Sequence, residues 1–205
     1  MNILKAYIEK KKVKNYYKSY YYKNSFYAYD FFERYNLIET FDKTFSFSSL
    51  IHFKGKIEFN ISSKEIFIKL GESRYTSNHE EIKNYQILHY KNKINDLKNR
   101  SQLHIYNDMF FYGIQLFPYL SSIQKEELIQ LLKNKYSIPS DEHLPFKIKD
   151  KQNNILFVSD NLNLSLEYIT GNEMMLSTLF ATKEKILNKT MLRLNNKKQA
   201  LIDIL

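Results

Sequence analysis

The chain contains no cysteine, which removes disulfide scaffolds, thiol nucleophiles and Cys-ligated zinc or iron–sulfur centres together. It has no tryptophan, only 4 glycines and 3 prolines in 205 residues. Gly55, Gly71, Gly113 and Gly171 are too scattered to build a phosphate-cradling loop, and no G-x-S-x-G elbow occurs. So few breakers leave little material for flexible linkers and predict one continuous body. No run approaches ~18 uncharged apolar residues, so no transmembrane helix is expected. The opening MNILKAYIEKKKVKNYYK has no apolar stretch behind its basic residues and does not read as a secretory signal. The expected location is cytoplasmic.

What is abundant is aromatic and basic. There are 17 Tyr and 15 Phe, and the hydrophobic share of 43% with 26% charged is ordinary for a globular protein, so wholesale disorder is excluded. The net charge of +9 sits at the ends. Residues 1–24 carry seven Lys against Glu9, and residues 182–205 carry five Lys and Arg193 against Glu184 and Asp203. Basic ends suit nucleic acid, an anionic membrane or an acidic protein. A genome rich in Lys, Asn, Ile and Tyr codons gives the same composition without a function.

Apolar residues recur at offsets of three and four from Leu4 to Ile38, with a break at Asn24-Ser25, which predicts an N-terminal helical pair, the second capped by Ser25. Ser62 with Glu65 has the capping-box spacing, and Gly71 supplies the left-handed stop of that helix. Strands are expected at 85–94, 102–106 and 109–117, with Asn95-Asp96 and Asn107-Asp108 as turns. The pattern recurs: Ser121 with Gln124 opens a helix that stops near Pro139, and strands follow at 145–149, 155–159 and 162–169. Residues 174–181 suit one more strand. Thr182 opens a terminal helix with Leu187, Met191, Leu194, Leu201 and Leu205 on one stripe.

The fold class expected is therefore α+β, with two helix-plus-antiparallel-meander units flanked by N-terminal helices and a C-terminal helix. A single domain is expected, divided into a helical segment 1–50, a first unit 51–120, a second unit 121–181 and the last helix 182–205.

The histidines at 52, 79, 89, 104 and 143 form no HxH or HExxH spacing. His89 and His104, on adjacent expected strands, are the one pair that could meet as a metal or pH-sensitive site, against the simpler reading of two hydrogen-bonded sheet histidines. No metal, no redox cofactor and no enzymatic activity are expected.

The stretch NYYKSYYYKNSFYAYDFF, residues 15–32, poses a choice. Lys10, Lys11, Lys12, Lys14, Lys18 and Lys23 interleave its tyrosines, as in single-strand binders where bases stack on rings while Lys neutralises phosphate. Val13, Tyr16, Tyr17, Tyr20 and Tyr21 also follow helical spacing, as a core stripe would, leaving Tyr22 as the exposed aromatic.

The segment KGKIEFNISSKEIFIKLGES resembles the helix-to-meander opening of SmpA/OmlA-like lipoproteins and of β-lactamase inhibitor proteins. Ser63-Lys64-Glu65-Ile66 and Leu70-Gly71-Glu72-Ser73 carry the match, with Ser73 where proline is usual. Similar layouts occur among bacterial toxin immunity proteins. The resemblance covers roughly residues 54–118 and lacks the lipid-attachment cysteine. It implies a protein that occupies another protein, most readily an immunity protein neutralising a cognate toxin with an acidic surface, without a membrane role. The expected contact residues are Tyr85, Tyr90, Asn95, Asp96, Arg100, Tyr106 and Tyr112, in the first meander. The alternative is nucleic-acid binding through Lys10, Lys11, Lys12, Lys14, Lys18, Tyr22 and Lys23.

Overall fold

A computed structural model describes residues 30–94 and 97–202. Helix α1 (Phe31–Glu39) is capped by Asp30, whose carboxylate accepts the Phe32 amide at 2.9 Å. The short acidic side chain of Asp30 satisfies a free first-turn amide; the expected cap Ser25 and the expected helix before it lie outside the described residues. Helices α2 (Ser63–Leu70) and α3 (Ser122–Tyr136) carry both expected capping boxes. Ser62 Oγ accepts the Glu65 amide at 3.2 Å while Glu65 accepts the Ser62 amide at 2.9 Å. Gly71 ends α2 at φ 78°, and Ser137 ends α3 in the left-handed region, two residues before Pro139.

The strands are β1 (Thr44–Phe47), β2 (Tyr75–Asn78), β3 (Tyr85–Ile94), β4 (Leu97–Tyr106), β5 (Met109–Phe117), β6 (Phe146–Asp150), β7 (Ile155–Asp160) and β8 (Leu164–Ile169). They form one sheet in the order β1-β6-β7-β8-β5-β4-β3-β2. Each meander follows its capped helix, and the two join where β5 pairs antiparallel with β8, Tyr112 opposite Ile169 through Phe117 opposite Leu164. The class is α+β and the sheet is antiparallel except for the β1–β6 pair. Asn107 and Asp108, both at positive φ, make the tight β4–β5 turn that the strand twist favours.

The largest departure from expectation is at residues 174–181, and strand β4 starts at Leu97 instead of the expected 102. Residues 174–181 are not a strand but the start of helix α4 (Glu173–Ile202). Met and Leu are good helix formers, no Gly or Pro interrupts the span, and the Asn172 side chain caps it by accepting the Met175 amide at 3.1 Å. The two short outer strands β1 and β2 are not foreshadowed by the sequence, since four residues carry too little periodicity to read.

Helices cover both faces of the sheet. One core joins α2, α3 and the 51–61 segment to residues such as Leu103, Phe110, Phe146 and Leu166. The other joins α1 and the first turns of α4 to Tyr85, Phe111, Tyr112, Ile114 and Phe157. At the end of β6, Asp150 gathers the amides of Ile51, Gln152 and Asn154 at 2.8–2.9 Å, together with the Asn154 side-chain amide. Asn154 in turn accepts the Gly171 amide at 2.8 Å. A Cβ on Gly171 would lie 2.0 Å from the Gln152 carbonyl oxygen. Gly171→Ala is therefore expected to cost about 1–3 kcal/mol through forced backbone displacement; a thermal melt matching wild type would show the 151–154 turn yielding freely.

Candidate functional site

Four of the expected contact residues lie in the core. Tyr85, Tyr90, Tyr106 and Tyr112 are all buried. This corrects their reading as exposed anchors. Because helices cover both sheet faces, strand aromatics of either parity end up inside. Their hydroxyls are satisfied internally: Tyr85 against His104 Nδ1 at 2.6 Å, Tyr90 to the Gly71 carbonyl at 3.1 Å, Tyr106 against Thr182 at 3.4 Å and Tyr112 to Glu167 at 2.7 Å. Arg100 stays half-exposed on β4. Asn95 and Asp96 lie outside the described residues, as do Lys10, Lys11, Lys12, Lys14, Lys18, Tyr22 and Lys23 and the whole aromatic stripe from Val13 to Tyr21.

The α1/α4 face of the sheet carries a buried polar ribbon. Arg34 holds Glu167 through Nε at 3.1 Å and through Nη2 as well. Tyr112 donates to the same carboxylate, and burial with the Glu167 charge pushes its pKa well above 10. His104 packs edge-on against Tyr112, ring centroids 4.8 Å apart. Burial, reinforced by His89 and His79, holds the His104 pKa well below 6.5. His89 bonds Ser77 at 3.0 Å, and burial lowers it to about 4. The two histidines are diagonal rather than opposite, since His89 pairs with Gln102 and His104 with Ile87. Among the described residues no group of three or more His, Cys, Asp or Glu is placed to hold a metal ion. Among the described residues these side chains bond chiefly to one another inside the protein. A shallow pocket of about 110 Å³ lies elsewhere, between Ile51, Phe59 and Asn154. That is below the roughly 300–1,000 Å³ of small-molecule sites.

Two surfaces do face solvent with specific chemistry. The first is the outer part of the β3–β4 hairpin, around Lys91, Lys93, Lys98 and Arg100. It overhangs its neighbours, since β2 pairs only as far as His89 and β5 only as far as Arg100. On it Lys91 lies opposite Arg100 and Lys93 opposite Lys98, so four cations share one face. Behind them Lys54 lies 5.8 Å from the Tyr90 ring centroid, and burial with neighbouring Lys56 pulls its pKa down to about 8.

The second surface is the outer half of α4. Met175, Leu176 and Leu179 pack into the core, and Lys183 lies 3.9 Å over the Phe32 ring. Beyond that point the same stripe continues through Leu187, Met191 and Leu194, which are 50%, 59% and 49% exposed. The opposite side of the helix carries Lys185, Lys189 and Arg193 at four-residue spacing, all exposed. The stripe was legible in the sequence; its exposure was not, because apolar helical spacing by itself reads as core. Among the described residues no helix is long and apolar enough to cross a membrane.

No protein-family model matches the chain, and no curated protein or solved structure does either.

Proposed function

We propose that this chain is a non-enzymatic binding protein that occupies a groove on another protein of net acidic surface through the outer half of α4. The observation that carries the reading is the run Leu187, Met191, Leu194, about half exposed on a basic helix that has passed the edge of its own core. Stable monomers rarely leave such apolar runs in water, and helices of this kind bind by laying the apolar face in a groove. Lys185, Lys189 and Arg193, on the side facing away from the groove, favour a partner of net acidic surface through long-range attraction that raises the association rate and disfavours basic partners. The setting proposed is inhibition, as in immunity proteins that neutralise a toxin, following the sequence resemblance carried by residues 54–118. The contact element is then α4 in place of the buried tyrosines of the first meander.

Co-expression with the product of the adjacent reading frame tests this. Wild type is expected to suppress that product's toxicity and to bind it in 200 mM salt nearly as well as in 50 mM. Met191→Asp should weaken binding by about thirtyfold or more, the loss of one apolar anchor, with an unchanged melt because the side chain is exposed. If Met191→Asp protects as well as wild type, α4 is not the contact. Sedimentation as a dimer that Met191→Asp dissociates would instead assign the stripe to self-association and remove the reading.

A further inference from the structure

We propose that the outer part of the β3–β4 hairpin, with Tyr119 beside it, binds single-stranded nucleic acid. The site lies apart from the α4 stripe and goes beyond the acidic-partner reading. Its first component is the like-charge register. Lys91 opposite Arg100 and Lys93 opposite Lys98 put four cations on one face, about 5 Å across the strands and about 7 Å along them. Such a patch favours a dense polyanion.

Its second component is Tyr119, in the turn between β5 and α3. This ring is 82% exposed, and its backbone sits at φ 65°. A bulky aromatic in the left-handed region is an outlier that Gly or Asn would relieve. No burial repays the strain here, since the ring faces water. Lys98 Nζ lies 6.0 Å from its centroid, so the aromatic surface adjoins the cation patch. A flat exposed ring next to clustered Lys and Arg is the arrangement on which a base stacks while its phosphates are neutralised. An acidic protein would use the cations but would have no need of the strained ring.

The test is fluorescence anisotropy of a fluorescein-labelled 20-nucleotide oligo-dT between 50 and 200 mM NaCl. With four phosphates neutralised, wild-type affinity should fall about fiftyfold over that range, at a slope near −0.7 per contact. Tyr119→Leu should weaken binding about tenfold, the contribution of one stacked base, while Tyr119→Phe binds like wild type. Lys98→Gln should flatten the salt slope by about one contact. Tyr119→Gly gives the readout that a structural role would not: an equal or higher melting temperature with lost binding. Met191→Asp should leave oligonucleotide binding intact, so failure of this site and failure of the α4 reading are told apart. No binding at 50 mM would overturn the proposal. So would binding unchanged by Tyr119→Leu and Lys98→Gln, which would move the contact elsewhere, for example to Lys10–Lys23. Equal displacement by poly-glutamate without a Tyr119 effect would make the patch an acidic-protein surface and overturn it too.

Discussion

Replacing Arg34 by methionine is expected to lower stability by about 3–5 kcal/mol, the cost of leaving a buried charge without its counter-ion. Glu167 is fully buried on β8, and the guanidinium of α1 reaches it with two hydrogen bonds. A carboxylate in that position cannot exchange its lost partner for water. Adding Glu167→Gln to Arg34→Met should recover most of the loss, because the amide oxygen still accepts the Tyr112 hydroxyl and no charge remains buried. Urea denaturation of wild type, both single variants and the double variant closes the cycle; a coupling below about 1 kcal/mol would show the pair to be a bystander. The pair also joins two distant parts of the chain, since residues 34 and 167 tie α1 to the centre of the sheet.

Acid is expected to destabilise the protein well before its carboxylates titrate. Burial keeps His89 neutral down to about 4 and lowers His104 in the same direction. In the unfolded chain both rings bind protons near pH 6.5. Between those values the unfolded state holds more protons, so stability rises with pH. It is fully present above about 6.5 and is lost as pH falls towards 4. For His89 the shift to about 4 corresponds to about 3 kcal/mol over that window, with His104 adding to it. Denaturation midpoints at pH 7.0, 6.0, 5.0 and 4.5 should decline steadily. His89→Asn, which can keep a polar bond towards Ser77 on β2, should flatten the decline at some cost in stability at pH 7. A flat wild-type profile over this range would mean that the rings are protonated in the folded state.

The capping and turn signals on the chain agree with the fold where the deciding physics is local. Ser62 with Glu65 and Ser121 with Gln124 cap their helices because each box satisfies amides within four residues. Asn107-Asp108 turns the chain because those residues tolerate positive φ. Strands β3 and β5 span the expected 85–94 and 109–117. The 174–181 stretch does not decide between strand and helix on its own, because Met, Leu and Phe serve a buried strand and a buried helix face alike; the Asn172 cap decides for the helix.

What sequence alone determined is the α+β class, the two capped helices with their meanders, and a basic chain without cysteine chemistry. Each follows from composition or from contacts a few residues apart. The tertiary structure decided which aromatic residues are inside and which cations stand together. Tyr85 and Tyr112 became core only because α1 and α4 cover the sheet face that the meander itself leaves open. Lys98 came to face Lys93 through strand pairing, and Lys98 came near Tyr119 although the two are 21 residues apart. The Leu187–Leu194 stripe is exposed because the core takes up only the first turns of α4, Met175, Leu176 and Leu179. Burial and charge clustering are properties of what the rest of the chain brings alongside a residue, and periodicity along one segment does not contain them.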